Sequence, residues 1–122
     1  MEILASRMLL RPADYQRSLT FYRDGLGLAI AREYGAGTVF YAGQSLIELA
    51  GHGAPNAAGT MWLQVRDVYA TQNELEGRGV EIAREAKQEP WGLHEMHVVD
   101  PDGVTLIFVQ VPRDHPLRRD PR

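Results

Sequence analysis

The 122-residue chain contains no cysteine. That excludes disulfides, thiolate metal centres and cysteine nucleophiles. Long apolar runs are also missing, and nothing approaches the roughly 18 to 20 residues that a membrane-spanning helix needs. The first ten residues, "MEILASRMLL", have an acid at position 2 and no small-residue cleavage site. No signal peptide is read there, and a cytoplasmic location with no membrane partner is expected. The glycines of "GLGL" and "GAG" do not make a phosphate-binding GxGxxG after a strand. No serine stands in a strand-turn-helix elbow. Net charge is −3, and the last ten residues hold four Arg against two Asp, so the rest of the chain is more acidic than the total. An acidic body argues against nucleic acid as partner and mildly favours a cationic ligand.

What is present is a repeat. Residues 11–30, "RPADYQRSLTFYRDGLGLAI", parallel residues 65–82, "VRDVYATQNELEGRGVEI". Each run places an Asp (Asp14, Asp67) where a side-chain oxygen caps the free N–H groups of a first helical turn. Leu19, Tyr22 and Leu26 recur at the spacing of one buried helix face. The Gly-x-Gly pairs Gly25/Gly27 and Gly77/Gly79 suit a left-handed helix exit. Three strands are predicted after each helix, at 28–34, 38–42 and 45–50, then at 80–85, 93–99 and 104–110. Asp100-Pro101-Asp102-Gly103 marks the turn between the last two. The fold class expected is α+β, with βαβββ modules at 1–52 and 59–111. A small-residue linker (53–58) joins them, and a basic, proline-containing tail (112–122) follows.

Strand alternation assigns the faces. Met8/Leu10, Ile47/Leu49, Met61/Leu63/Val65 and Leu106/Phe108 form wholly apolar sides that suit packing on helices. The opposite sides, Arg7/Leu9/Arg11, Leu46/Glu48, Thr60/Trp62/Gln64 and Thr105/Ile107/Val109, mix charge, aromatic and small polar groups. Such a composition suits a ligand cup, apolar with a few placed polar groups. Trp62 would stack a ligand, Glu48 meet a cation or donor, and Arg7 or Arg11 meet an acceptor. Trp91 and His94 are expected in its wall, and Leu9, Phe40, Thr60, Gln64 and Ile107 complete the candidate lining. Glu48 is alternatively one half of an ion pair with Arg7 or Arg11. His94 and His97 lie three apart on a strand, point to opposite faces and cannot chelate together.

The pieces "FYRDGLGL", "LIEL" and "PWGLHEMHVVDPDG" together resemble the vicinal-oxygen-chelate superfamily, which includes glyoxalase I, extradiol dioxygenases and the fosfomycin- and bleomycin-resistance proteins. The resemblance spans about residues 3 to 111. It implies two βαβββ modules curled around a cavity, commonly in a homodimer. It also implies a metal held at four strand positions, and here those positions are Arg7, Glu48, Thr60 and Ile107, or Phe108 if the repeat is aligned directly. A guanidinium and an apolar side chain supply no donor to a divalent ion. The expectation is therefore no metal and no other cofactor, and more plausibly a binding protein than an enzyme. Its partner would be a small organic molecule, an aromatic or cationic antibiotic held by sequestration. The alternative is a divergent lyase, isomerase or dioxygenase-like enzyme using Glu48.

Overall fold

Both helices begin where the sequence places an aspartate. In the computed structural model, which describes residues 2–5, 7–56 and 59–116, Asp14 accepts from the amide of Arg17, and Asp67 from those of Tyr69 and Ala70. These bonds satisfy N–H groups that a first turn otherwise leaves unpaired. The chain divides into two compact units, residues 1–58 with 100–102, and residues 59–99 with 103–122.

The first unit runs β1 (Met8–Leu10), α1 (Tyr15–Thr20), β2 (Ile30–Tyr34), β3 (Gly37–Ala42) and β4 (Ser45–Ala50). α1 passes into a π-helical turn at Phe21–Gly25, and the chain leaves it through Gly27 at φ 70°. The sheet order is β1-β4-β3-β2, with β1 parallel to β4 and the other pairs antiparallel. Tyr22, Phe40, Ile47 and Leu49 are fully buried on one side of this sheet, and the Tyr22 and Phe40 rings lie 6.2 Å apart. The Tyr22 hydroxyl donates to Asp100 at 2.8 Å. Burial and that carboxylate together push the phenol far above its ordinary range. Asp102 accepts from Ser18 Oγ and from the Ala13 amide, so residues 100–102 cap the start of this helix from the side. Asn56 accepts from the Arg11 amide and donates to the Leu9 carbonyl, taking the place of a strand along the edge of β1.

The second unit repeats the order: β5 (Thr60–Gln64), α2 (Val68–Gly77), β6 (Arg84–Gln88), β7 (His94–Val99) and β8 (Thr105–Gln110). Its sheet reads β5-β8-β7-β6, again with one parallel pair, β5 with β8. Val68 and Leu75 of α2 are buried, as are Met96, Val98, Leu106 and Phe108. The βαβββ order expected from the repeat is present in both units, and the fold class is α+β. One strand is displaced: β6 begins at Arg84, not at Val80. Gly79 takes φ 81°, and the Val80 amide donates back to Leu75. The "VEI" run therefore closes the end of α2 and buries Val80, and pairing with β7 starts only where the Ala83 amide reaches His97. No helix among the described residues is long and apolar enough to cross a membrane.

Candidate functional site

In the first unit, neighbouring strand residues fix what shares a face. Leu9 pairs with Glu48, Glu48 with Val39, and Val39 with Arg32. Directly paired residues point the same way, so this row lies on the side of the sheet opposite Tyr22 and Phe40. Arg7 reaches into the row, and its Nη1 lies 2.8 Å from Glu48 Oε1. The other oxygen, Oε2, accepts from the Tyr34 hydroxyl at 2.5 Å. Glu48 is 17% exposed and Arg7 40%, so the carboxylate is the better shielded partner.

Tyr34 reaches Glu48 because Gly37 has no side chain. Gly37 is the cross-strand partner of Tyr34 and, on its other side, of Ala50. A Cβ at Gly37 would overlap the Tyr34 Cζ and hydroxyl oxygen and lie 2.6 Å from the Leu49 carbonyl oxygen. The ring therefore lies flat across β3 and delivers its hydroxyl to β4. Arg32 sits over the same ring, 5.3 Å from its centroid, in cation–π geometry. The Tyr34 hydrogen bond, and then Arg7, hold the Glu48 carboxyl below its ordinary value, while bonding to Glu48 raises the Tyr34 phenol. Glu48 is thus an ionised, doubly held carboxylate. Such a group is a weak general base near neutral pH, because its conjugate acid is too strong.

The structure brings Arg7, Leu9 and Glu48 together as the alternation implied, and of the two readings of Glu48 it shows the Arg7 ion pair. Arg11 is directed elsewhere. Its guanidinium stem packs on Gly53, where an added Cβ would lie 2.9 Å from Nε. Phe40 is a correction: it pairs with Ile47, is 0% exposed and packs on Tyr22, so it belongs to the core.

The second sheet is read the same way. One row contains Trp62, Ile107, His97 and Arg84, and the next contains Gln64, Val109, Glu95 and Lys87. Beyond them Thr60 pairs with Thr105, and Thr105 with Val99. Trp62 is 51% exposed, whereas Val109 is fully buried with Leu93 and Val111, and Ile107 packs against that cluster. That end of the face is filled, contrary to the mixed lining expected for Val109. Trp91 is exposed, but its Nε1 donates to the buried Glu95 carboxylate at 2.8 Å. His115 bonds to the Trp91 carbonyl at 3.1 Å, which seats the start of the tail on this loop. The remaining tail, 117–122, lies outside the described residues.

His94 is the second correction. It alternates with Met96 and Val98 on the helix side, and its Nδ1 lies 2.7 Å from the Tyr69 hydroxyl of α2. The histidine on the helix-free face is His97. Tyr34 and His97 were both missed, although a register signal existed for each. The two-residue turn at Gly35-Ala36 sets Tyr34 against Gly37, and the Asp100–Gly103 turn sets His97 against Ile107.

Residues 5–108 match the Glyoxalase/Bleomycin resistance protein/Dioxygenase superfamily, and the chain belongs to that superfamily. It is 31% identical over 121 residues to a lactoylglutathione lyase of Haemophilus influenzae, covering 84% of this chain and 88% of that protein. A solved glyoxalase/bleomycin resistance protein from Catenulispora acidiphila superposes with a TM-score of 0.75 at 23% identity, over 90% of this chain and 100% of that one. A lactoylglutathione lyase from Agrobacterium tumefaciens gives 0.71 at 19% identity, over 90% and 96%. These two structures establish the fold.

The metal that the superfamily resemblance implies can be tested against the residues present. Leu9 and Trp62 stand at the same interval before the cap residues Asp14 and Asp67, and they pair with Glu48 and Ile107 respectively. Ile107, not Phe108, is therefore the counterpart of Glu48, and it offers no donor atom. Both oxygens of Glu48 are already bonded, one of them to a permanent cation. Thr60 supplies only a neutral hydroxyl. The donor set does not fit a divalent ion.

Proposed function

We propose that this chain binds a small aromatic molecule through its helix-free sheet faces without a divalent metal, and that it acts by sequestration, as in resistance to an antibiotic. The observation that carries this reading is the closure of Glu48 by Arg7 and Tyr34. An ion pair stands where a metal site would need an open carboxylate. The same closure moves the preferred ligand away from the cation expected from net charge, because Glu48 is already matched. Exposed Trp62 and Trp91 favour an aromatic partner. A homodimer is part of the proposal, since the resemblance implies one.

The lactoylglutathione lyase relative at 31% identity favours a second reading, a metal-dependent lyase or isomerase. A thermal-shift plate separates the two. EDTA-treated protein is tested against divalent metals in one set of wells and against planar aromatic and polycyclic antibiotics in another. A ligand at a hundredfold excess over Kd stabilises by about 2.7 kcal/mol, a shift of several degrees for a domain of this size. Stabilisation by an aromatic compound and by no metal supports sequestration. A specific metal shift, or turnover of lactoylglutathione, supports the lyase.

A further inference from the structure

In the row Trp62–Ile107–His97–Arg84, the imidazole of His97 and the exposed indole N–H of Trp62 have no hydrogen-bond partner among the described residues. Arg84 is held at both Nη atoms, ion-paired with the buried Glu89 and donating from Nη2 to the Glu95 carbonyl at 2.9 Å, while its buried Nε has no hydrogen-bond partner among the described residues. Glu95 holds Trp91. The His97 ring has no hydrogen-bond partner among the described residues, although it is only half-buried and lies in the middle of the face. Burial, followed by the charge of Arg84, lowers its pKa, so at neutral pH it is a neutral imidazole with one donor and one acceptor nitrogen. On one side of it lies Ile107. Beyond Ile107, Trp62 stands 51% exposed on the edge strand β5.

A free imidazole, a flat apolar floor and an exposed indole in one row match a planar aromatic group that carries a hydroxyl. On one side the floor ends where Val109 is buried with Leu93 and Val111, and on the other it continues to Thr60, Thr105 and the exposed Val99. We infer that Trp62, Ile107 and His97 form a subsite for a phenol-like ring, which lies over Ile107 against Trp62 and exchanges a hydrogen bond with His97. The inference rests on the small-molecule reading above and names the chemistry of its ligand. Charge complementarity points the same way. Arg84, the charged residue of the row, is ion-paired with Glu89, so the row favours a neutral polar group.

The test uses the full chain and two probes, 2-naphthol and naphthalene, followed by NMR of the Trp62 indole N–H and the His97 ring. The expected result is saturable movement of both signals with 2-naphthol. His97→Leu should weaken 2-naphthol about three- to tenfold, the range of one neutral hydrogen bond, and leave naphthalene within about twofold. Trp62→Leu, on an exposed edge position, should weaken both probes. Equal loss of both probes in His97→Leu, movement confined to other residues, or no saturable binding would overturn the subsite. So would Trp62 and His97 signals that move with protein concentration instead of probe, since a second copy would then cover the face. If antibiotics stabilise the protein while these two signals stay fixed, the subsite fails and the general binding reading stands. If nothing stabilises it, the general reading fails.

Discussion

Tyr34 donates to Glu48 across β3 at the one point, Gly37, where that strand has no side chain. The bond is the hinge of the site's electrostatics. It turns a carboxylate in an apolar strand into a fixed, matched anion. Gly37→Ala should displace the ring and press on the Leu49 carbonyl, with a cost of about 1–3 kcal/mol, as for overpacking. Tyr34→Phe removes only the hydroxyl and should cost about 1.5 kcal/mol, the low end for a bond to a charged group because Glu48 is partly exposed, whereas the alanine at Gly37 loses this bond and adds the overpacking. Denaturant unfolding of both variants checks the order: the alanine variant must be the less stable.

Acid should remove the Glu48 contribution. The carboxyl is held low in the folded state by Tyr34 and Arg7, so the unfolded chain binds the proton more readily. Its contribution is therefore present above the ordinary Glu value of about 4.3 and is lost as pH falls through the lower folded value. Between wild type and Glu48→Gln, the stability difference at pH 7 should shrink below pH 4. A difference that stays constant with pH would show that Glu48 does not titrate as described.

His97 gives an opposite-charge case with the same sign. The groups around it are Arg84, Ile107 and Glu95, with Glu89 and Lys87 further out. Its folded pKa is depressed, so protonation favours the unfolded chain. Stability from this group is full above its unfolded value of about 6.5 and falls as pH drops towards the folded value. His97→Gln should flatten the stability profile below about pH 6.5. An unchanged slope would contradict the assignment.

In the first unit's core, Tyr22→Phe leaves one Asp100 oxygen without the buried hydroxyl that donates to it. Asp100 is 5% exposed, and a hydrogen bond to a buried charged group contributes about 1.5–3 kcal/mol. Thermal unfolding should fall by several degrees. A neutral result would mean that water or another donor substitutes at Asp100.

The repeat, the two capped helices and the strand faces were legible because each rests on local periodicity. Asp14 and Asp67 cap as read, and Met8, Ile47, Leu106 and their neighbours form the helix-facing sides. Phe40 and His94 were misplaced for a common reason. On a strand, one residue of error reverses the face. Phe40 follows Ile47 and His94 follows Met96, both to the helix side. β6 was misjudged because "VEI" is a good strand sequence that here completes a helix exit behind Gly79. Tyr34 depended on an absent side chain at Gly37, which becomes a signal only once the hairpin register is known. Val109 alternates correctly but is buried by Leu93 and Val111, a tertiary contact with no local trace.

Metal-free binding requires that Glu48, held by Arg7 and Tyr34, cannot serve a metal. Isothermal titration of EDTA-treated protein with Ni²⁺ and Zn²⁺ measures this directly. The expected result is no stoichiometric binding in the micromolar range, and the same flat trace for Glu48→Gln. Stoichiometric binding that disappears in Glu48→Gln would contradict it, because it would show that Arg7 and Tyr34 release the carboxylate to an ion.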